Sequence, residues 1–514
     1  MNNQETRRPS LPVQLNPNGV ASLKRPTICN VRPPWLALIV ALSLCCCSKS
    51  NRPASIALTH VTVVNPAEKN PLRPNATVLL DGNKILDVGP DASISISSGA
   101  RVIDGTGKFL IPGLEDMHIH LTGAGEPSGS REFVLPLLIA NGVTTVRDMG
   151  GDVELLKRLK KEIDSGKTLG PQIFYTGPYL DGNPPSFQPS IVVERPADAL
   201  PAVRRLKAEG VAFIKVQSRL KKEPFLAIAE AARQENIRFV GHVPDSVSPA
   251  EASDAGQYSI EHLTGILLAC SSKEKELRER QLRAPPRKET AQGANLRQRV
   301  WLQAVLDTYS PEKAQQLYEK FRANHTWQVP TLPLLIHLAY LTPATDLQND
   351  LNLKYVPENL QRIWMEGRTE SLANRTTADY VLREKLVEAS LKAIRDMHAA
   401  GVPMMAGTDA AAPNVFPGFS LHESIAAFVQ AGFTTQEALA TATSGPAVFL
   451  GRAHEEGTIA AGHHADLVLL DANPLDDIRN TRKIRAVILN GQVLDRTALD
   501  AMLRRVAEFA AKKQ

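Results

Sequence analysis

Two histidines separated by a single residue are the side chains of this 514-residue chain that most clearly indicate chemistry. His118 and His120 lie in residues 111–121 (IPGLEDMHIHL), a segment predicted to be a strand. Side chains two positions apart on a strand point to the same face, so both imidazoles would converge on one space. Two neutral imidazoles are half of a typical metal site. In an isolated His-x-His pair, it is more often the case that one histidine caps a strand and the other faces solvent. Whether this pair binds a metal therefore depends on further ligands elsewhere in the sequence.

Four further potential ligands each end a short apolar run that predicts a buried strand. In chain order they are Lys215, His242, His262 and Asp409. The runs cover residues 210–216, 238–244, 259–263 and 402–409. Polar side chains that repeatedly follow buried strands indicate one site built from several strand ends.

Amphipathic helical stretches separate these strands, as in residues 199–209 and 223–234. Alternation of strand and helix over roughly 300 residues predicts an α/β fold, specifically a (β/α)8 TIM-like barrel, with chemistry where its parallel strands end. A doubly wound sheet would predict a Gly-x-Gly-x-x-Gly loop after an early strand, and the sequence has none. The barrel is therefore the favoured architecture.

Eight motifs together resemble the amidohydrolase superfamily, in particular the branch related to imidazolonepropionase and the metal-dependent prolidases. They are PGLEDMHIH (112–120), GVTTVRD (142–148), FIK (213–215), GH (241–242), EH (261–262), GTD (407–409), GTIAAG (457–462) and ADLVL (465–469). Each motif alone is weak, but the set in this order is specific. The resemblance covers nearly all of the chain after residue 54.

The resemblance implies two divalent metal ions, with zinc as the leading candidate, and six ligands. These ligands are His118, His120, Lys215, His242, His262 and Asp409. The first two histidines and Asp409 would bind the more buried ion, and the last two histidines would bind the second. Lys215 would bridge both ions as a carbamate formed with carbon dioxide.

The position of Lys215 agrees with this implication. Alternation along its strand places Lys215 on the same face as Phe213, where an unpaired ammonium is costly. A carbamate removes that cation and supplies an anionic oxygen donor. The alternative is a lysine paired with a buried carboxylate, such as Asp148 or Asp409.

Asp409 has a second implied role, as general base and acid. A carboxylate beside a metal-activated water can take the water's proton and pass it to the departing nitrogen. The alternative is a helix cap in residues 407–413, a position that suits Asp.

Three residues at other strand ends are candidates for substrate binding. Arg147 could hold a substrate carboxylate, but an ion pair with Asp148 or a helix-end contact explains it equally well. Tyr175 and Tyr179 could donate to a developing oxyanion or simply pack. His422 and the glutamate after it are expected to face solvent.

Composition agrees with a globular enzyme, with 43% hydrophobic and 22% charged residues. The formal net charge of +5 falls to +1 without residues 1–46, which carry five basic side chains and one acidic side chain. A nearly neutral surface gives no electrostatic reason to expect nucleic acid as a partner.

Residues 1–47 are predicted to be a signal peptide, because a basic stretch leads into the apolar run 34–47. Its end resembles a bacterial lipoprotein signal, with Cys45, Cys46 and Cys47 as candidates for lipidation. The alternatives are simple secretion or an uncleaved anchor. The protein is thus expected to be exported, periplasmic or anchored to a membrane. The lone remaining cysteine, Cys270, is expected to be buried, so no disulfide framework is predicted.

The predicted organisation after the signal has three parts. These are a β-sandwich from residues 54–112 and 455–497, a barrel from 113–454 with a helical insertion at about 271–392, and a C-terminal helix from 498–514. Hairpin turns are predicted at 81–83 and 104–107, and the seventh barrel strand at 329–332.

The expected function is metal-dependent hydrolysis of an amide-type carbon–nitrogen bond in a dipeptide, an Xaa-Pro dipeptide or an N-acyl amino acid. The ligand set does not encode the leaving group, so the substrate class rests on the resemblance. Alternatives are a lactone or phosphoester hydrolase on the same site, and a metal-bearing binding protein without catalysis. The expected partner is a small molecule, and homo-oligomerisation is left open.

Overall fold

The computed structural model of the protein describes residues 54–122, 129–283, 290–342, 344–345 and 350–512. The strands are β1 (Ile56–Val64), β2 (Leu72–Asp81), β3 (Lys84–Pro90), β4 (Arg101–Asp104), β5 (Phe109–Pro112), β6 (Leu114–Ile119), β7 (Val143–Asp148), β8 (Gln172–Tyr175), β9 (Tyr179–Asp181), β10 (Ser190–Val192), β11 (Ile214–Val216), β12 (Phe239–Gly241), β13 (Ser259–Glu261), β14 (Trp327–Val329), β15 (Leu467–Leu470), β16 (Ile484–Leu489) and β17 (Gln492–Asp495).

The α-helices are α1 (Leu135–Ala140), α2 (Val153–Asp164), α3 (Pro196–Ala208), α4 (Lys222–Gln234), α5 (Pro249–Asp254), α6 (Ile266–Ala269), α7 (Glu274–Leu282), α8 (Ala291–Asp307), α9 (Pro311–Ala323), α10 (Leu332–Tyr340), α11 (Glu358–Leu372), α12 (Thr377–Ala399), α13 (Phe419–Gln430), α14 (Thr435–Ala440), α15 (Ser444–Leu450) and α16 (Arg496–Ala510). The predicted helices at 199–209 and 223–234 correspond to α3 and α4. In α2 the buried residues Leu156, Leu159 and Ile163 form the apolar stripe expected of a helix that covers a sheet.

An eight-stranded sheet combines strands from both ends of the described chain. Its order is β17-β16-β15-β5-β1-β2-β3, with β4 beside β1. The two ends meet where β15 pairs antiparallel with β5, in the register Val468 with Ile111. The segments that the sequence assigns to one small domain therefore lie in one sheet, and their arrangement as a β-sandwich stays a prediction.

One of the two predicted hairpins is wrong. The turn at 81–83 joins β2 and β3 antiparallel, and Gly82 provides the positive φ of +54°. Residues 104–107 instead lead from β4 to β5, and both of these strands run parallel to β1 along the same edge. The Asp104 carboxylate accepts from the Thr106 N–H at 3.0 Å, a local turn that offsets the chain without reversing it.

Parallel strands form the other two sheets. Their orders are β10-β9-β11-β12-β13-β14 and β6-β7-β8, and each neighbouring pair that the structure describes is parallel. Helices separate most of these strands along the chain, so the fold is α/β. Because the strands are parallel, their carboxyl ends lie on one side of each sheet.

Backbone hydrogen bonds connect these two sheets in two places. The Ala212 N–H donates to the Tyr175 carbonyl at 2.8 Å, which connects β8 with the approach to β11. On the other side, Met405 N donates to the Gln328 carbonyl at 3.0 Å and Met117 N donates to the Ala406 carbonyl at 3.0 Å. The segment before Asp409 therefore lies between β14 and β6.

The predicted seventh strand (329–332) lies earlier in the chain than expected, because β14 starts two residues and ends three residues before the predicted bounds. Thr331 has φ +45°, and Pro333 lies in the first turn of α10, a position where a proline without an N–H suits a helix start. The described residues of the predicted insertion at 271–392 are mainly helical, but β14 lies among them.

The predictions for residues 1–47, including Cys45, Cys46 and Cys47, lie outside the described residues. Among the helices that are described, none combines the length and apolar character needed to cross a bilayer. Cys270 is buried and free, as expected, and burial raises the pKa of its thiol to about 11.

Candidate metal centre

Four histidines from the ends of three strands, in two sheets, lie together. His118 lies in β6, His120 directly follows it, and His242 and His262 directly follow β12 and β13. The ring centroids of His118 and His120 are 5.5 Å apart, and those of His242 and His262 are 4.9 Å apart. The centroids of His118 and His262, which join the two pairs, are 4.5 Å apart. The alternation and strand ends read from the sequence therefore correspond to one cluster of imidazoles.

Asp409 lies against the first two histidines. Its N–H donates to the His118 carbonyl at 2.7 Å, and its Oδ1 lies 3.0 Å from His120 Nε2 and 3.4 Å from His118 Nε2. One ligand atom each from His118, His262 and Asp409 fall within 4.8 Å of one another. This spacing allows one cation to contact all three residues.

Lys215 completes the cluster from β11. Its Nζ lies 3.4 Å from His118 Nε2, and the residue is only 1% exposed. Burial lowers the pKa of the ammonium to about 8, and the neighbouring carboxylates of Asp409 and Glu261 only partly offset this effect. All six residues predicted as metal ligands are thus close together.

Each imidazole is oriented through its Nδ1 atom. The Nδ1 atoms lie 2.7 Å from Glu261 Oε2 in His118, 2.9 Å from the Gly150 carbonyl in His120, 2.8 Å from Ser218 Oγ in His242 and 2.7 Å from Thr331 Oγ1 in His262. A metal-binding histidine typically uses one ring nitrogen for such a contact and the other for the metal. Nε2 is therefore the nitrogen that each ring can offer to a cation.

Electrostatics favour neutral imidazoles at two of these positions. Burial lowers the pKa of His242 and His262 well below the usual range, and the nearby Lys215 adds to this effect. At His120 burial acts in the same direction, but the hydrogen bond and charge of Asp409 raise its pKa overall. Neutral imidazole is the form that binds metal.

Arg147 does not face the open site, and the expectation that it holds a substrate carboxylate is not supported by its position. The residue is fully buried, and its Nη2 donates to both Glu261 oxygens at 2.9 and 3.0 Å. Its Nε donates to the Met117 carbonyl at 2.7 Å. The ion pair is thus formed with Glu261 and not with Asp148, and it supports the carboxylate that orients His118.

Glu261 is a functional residue that our reading of the sequence missed. Burial alone raises its pKa, but the Arg147 charge and the His118 hydrogen bond lower it to about 2, so the carboxylate is ionised. The sequence analysis included Glu261 only as the residue before His262 in the EH motif. Nothing in that dipeptide indicates a contact with His118, which is 143 residues away in sequence.

Asp116 was missed as well. Its carboxylate accepts from the N–H of His118 at 3.2 Å, and from the N–H and hydroxyl of Thr408 at 3.1 and 2.7 Å. It therefore ties β6 to the segment that carries Asp409. Alternation along β6 places Asp116 on the same face as His118, a signal that could have identified it.

The structure places the two tyrosine candidates in different surroundings. The Tyr175 hydroxyl donates to the Glu209 carbonyl at 3.2 Å, and this contact agrees with the packing alternative. The Tyr179 hydroxyl lies 3.5 Å from His120 Nδ1, and its ring centroid is 5.3 Å from Lys215 Nζ. Only the second of these two tyrosines lies at the cluster.

The expectation that His422 faces solvent is wrong. The residue is 2% exposed, with Nδ1 3.0 Å from Thr481 Oγ1 and Nε2 3.2 Å from the Asn141 carbonyl. Burial lowers its pKa to about 3. The face of α13 that carries His422 packs inward, and a lone histidine in sequence does not reveal this. Glu423 is half-buried, with its carboxylate 3.6 Å from His337 Nε2.

The family model described as "Amidohydrolase family" matches residues 109–289 and 332–494, which is more than half of the chain. The chain belongs to the amidohydrolase family, and it is therefore a hydrolase of the amidohydrolase type. The unmatched residues between these two stretches include α8, α9 and β14. The superfamily indicated by the sequence motifs is thus confirmed.

Relatives and solved structures agree with this assignment. Imidazolonepropionase of Anaeromyxobacter dehalogenans (strain 2CP-1) is 25% identical over 445 residues, covering 82% of this chain and 90% of that protein. A prolidase candidate from Bifidobacterium longum has a TM-score of 0.61 at 24% identity, covering 88% of this chain and 100% of that one. Bottromycin amidohydrolase has a TM-score of 0.70 at 20% identity, covering 90% and 92%. These structures share the fold of the protein.

Proposed function

We propose that the protein is a metal-dependent hydrolase of amide-type carbon–nitrogen bonds in small molecules. Dipeptides, Xaa-Pro dipeptides and N-acyl amino acids are the proposed substrates. The observation that carries the proposal is the cluster of four histidines, each oriented through Nδ1, with Asp409 3.0 Å from one of them. The likeness in fold to a prolidase candidate and to bottromycin amidohydrolase supports the amide as the bond cleaved.

We also propose that the parallel strands close into a (β/α)8 barrel beside a β-sandwich. The hydrogen bonds from Ala212 to Tyr175, and from Met405 and Met117 to the neighbouring strands, support closure. In this layout the barrel comes from the described residues of 113–454, the sandwich comes from residues 54–112 and 455–497, and α16 (Arg496–Ala510) is the predicted C-terminal helix. Active sites of such barrels lie at the carboxyl ends of the strands, where the histidine cluster is found.

The donor set fits two divalent ions. Imidazole nitrogens with carboxylate oxygens suit zinc and similar ions, and the lowered pKa of His242 and His262 keeps these two ligands neutral. His118, His120 and Asp409 would hold one ion, and His242 and His262 the other. The residue that does not fit as it stands is Lys215, since an ammonium group repels cations.

A carbamate on Lys215 would remove this conflict. Its neutral amine bonds through Nζ to the carbon of carbon dioxide and loses one proton, so a cation becomes an anionic group with two oxygen donors. Burial favours the reaction, because it lowers the pKa of the ammonium to about 8 and so makes the neutral amine more available. As a carbamate, Lys215 would bridge the two ions.

When bound, the ions would activate a water molecule and polarise the carbonyl of the substrate. Asp409 accepts a proton at a carboxylate oxygen and passes it to the departing nitrogen. Burial acts to raise the pKa of Asp409, but its surroundings, including the hydrogen bonds with His118 and His120, hold that pKa well below the usual range, so the group is a carboxylate that can accept a proton. Tyr179 keeps its proton, because burial raises its pKa, and its hydroxyl is a donor at the edge of the site.

The test combines metal analysis with a substrate panel. We expect about two divalent ions per chain by elemental analysis, and hydrolysis of Xaa-Pro dipeptides or N-acetyl amino acids in preference to lactones and phosphoesters. Asp409→Asn should keep much of the metal and reduce turnover by roughly 10²- to 10⁴-fold, because the proton acceptor is lost.

Three results would each contradict a part of this proposal. A fully active preparation without metal would remove the metal-dependent reaction. Preference of the loaded parent for a lactone or phosphoester would assign the same site to a different bond. Equal turnover by parent and Asp409→Asn would remove the proton-transfer role of this residue.

A further inference from the structure

Two aromatic rings lead from the histidine cluster to the protein surface. The Tyr179 ring centroid lies 6.4 Å from the His120 ring and 6.3 Å from the Phe187 ring. The metal-centre proposal uses the hydroxyl of Tyr179 but neither ring face, and it does not use Phe187. These two rings form a continuous apolar surface that starts beside a proposed metal ligand.

The backbone at Gly150 determines where the Tyr179 ring lies. Gly150 has φ +145°, and a Cβ at this position would overlap the Tyr179 ring. The carbonyl of the same glycine lies 2.9 Å from His120 Nδ1. One residue without a side chain therefore sets the position of the tyrosine ring and of the imidazole, which fixes the inner end of the aromatic surface relative to the site.

The loop that carries Phe187 is tied to the body of the protein. The carboxylate of Asp181 accepts from the N–H groups of Gly182, Ser186 and Arg219 at 2.8, 2.6 and 2.9 Å. At the other end of the loop, Ser190 Oγ donates to the Phe187 carbonyl at 2.6 Å. Phe187 is thus held by hydrogen bonds on both sides.

Phe187 is nevertheless 52% exposed. Phenylalanine is among the residues most often buried, so a large exposed ring on a tied loop loses hydrophobic stabilisation that an occupant could supply. Tyr179, which is 6% exposed, is a neighbouring ring with its centroid 6.3 Å from that of Phe187. Because the Tyr179 ring neighbours both His120 and Phe187, a substrate that extends outward from the histidine cluster past Tyr179 would meet Phe187.

We propose that Tyr179 and Phe187 form an aromatic wall that receives a flat apolar group of the substrate, such as a phenyl ring, and that Phe187 determines specificity. This inference rests on the proposed amide hydrolysis and narrows its substrate class. Offset or edge-to-face contact between aromatic rings adds to the gain from burial alone. Substrates with a phenyl group near the scissile amide are therefore hydrolysed in preference to those with a methyl group.

The test compares three amides with the metal-loaded full chain: N-acetyl-alanine, N-phenylacetyl-alanine and N-acetyl-phenylalanine. Phe187→Ala should lower kcat/KM for at least one phenyl substrate by about tenfold relative to N-acetyl-alanine, mainly through KM. Phe187→Tyr should retain the preference of the parent. The matched control is Leu226→Ala, which removes an exposed apolar side chain from α4 and should leave all three values unchanged.

The outcomes separate this inference from the proposed function. If the parent hydrolyses these amides and Phe187→Ala changes all three kcat/KM values by the same factor, the aromatic wall is wrong and amide hydrolysis stands. If the loaded parent hydrolyses none of the three amides or of the dipeptides, the proposed function fails and the wall fails with it. A loss of preference in Leu226→Ala equal to that in Phe187→Ala would also overturn the wall.

Discussion

Arg147 and Lys215 are two buried cations of the parallel-strand region, and their surroundings differ. The guanidinium of Arg147 donates to both oxygens of Glu261, to Ser259 Oγ and to the Met117 carbonyl. The ammonium of Lys215 has, within the described residues, an imidazole nitrogen of His118 and not a carboxylate as its hydrogen-bonding neighbour. The charge of Arg147 is compensated by a directly bonded carboxylate, whereas the charge of Lys215 is only partly offset by carboxylates that do not bond to it.

This difference distinguishes Arg147, which supports the structure, from Lys215, which is a candidate for chemistry. A buried charge with a full set of partners stabilises one arrangement of its neighbours, whereas an uncompensated one costs stability unless another group neutralises it. The two regions are joined through His118, whose Nδ1 contacts Glu261 and whose Nε2 contacts Lys215. The pair of Arg147 and Glu261 therefore orients His118, which is also a neighbour of Lys215.

The largest expected effect in this comparison follows Lys215→Met. Metal content should fall well below that of the parent, and turnover should fall by at least roughly 10³-fold, because the proposed bridging ligand is lost. The metal-free variant should be at least as stable as the metal-free parent, since an unpaired buried cation is removed. Elemental analysis, kinetics and urea unfolding measure these three quantities.

The matched control is Lys222→Met, at an exposed lysine that pairs with Glu251. It should leave metal content and turnover unchanged. If Lys215→Met retains the metal and turnover of the parent, Lys215 has no part in the site.

An effect of intermediate size is expected for Arg147→Met, and it is a loss of stability in the metal-free protein. The free energy of unfolding of the metal-free protein should fall by about 3–5 kcal/mol, because Glu261 is left as an unpaired buried carboxylate. Adding Glu261→Gln should recover part of this loss, since the orphan charge is then removed. Urea unfolding of both variants measures the change.

Arg233→Met, at an exposed arginine that pairs with Glu230 on the surface of α4, is the control and should change stability by less than about 1 kcal/mol. Equal stability of Arg147→Met and the parent would mean that the two buried cations do not differ in the way their contacts indicate.

The smallest effect is expected for Ser218→Ala. Loss of the hydroxyl 2.8 Å from His242 Nδ1 should weaken metal affinity by about 10- to 100-fold, with little change in unfolding free energy. Competition with a chelator measures the affinity. Ser165→Ala, which removes an exposed hydroxyl bonded to the Glu162 carbonyl, should have no effect on it. Unchanged affinity in Ser218→Ala would remove the orienting role of this serine.

Much of the candidate site could be predicted from the sequence. The spacing of His118 and His120, and the position of Lys215 in its apolar run, depend on the two-residue period of a strand, which is a local property. The later ligands follow strands whose carboxyl ends face the same way because the strands are parallel. The residues that form the cluster could therefore be named without knowing any interatomic distance.

The partners of these residues could not be predicted in the same way. For Arg147 the sequence left open a substrate carboxylate, an ion pair with Asp148 or a helix-end contact, but the residue pairs with Glu261, which is 114 residues further along the chain. The hydroxyl of Thr331 was not considered, although it lies 2.7 Å from His262 Nδ1. Such contacts depend on which strands are adjacent and on how far each side chain reaches.

The sequence by itself determined the chemical types, their order and the strand face on which each one lies, because residue spacing and backbone period are set locally. Only the tertiary structure decided which polar groups are compensated, which ring nitrogen each histidine can offer, and that His422 lies inside. Burial and hydrogen bonding are properties of neighbours in space, and most of those neighbours are far apart along the chain. The same rule applies at the surface, where a phenylalanine beside the site remained exposed.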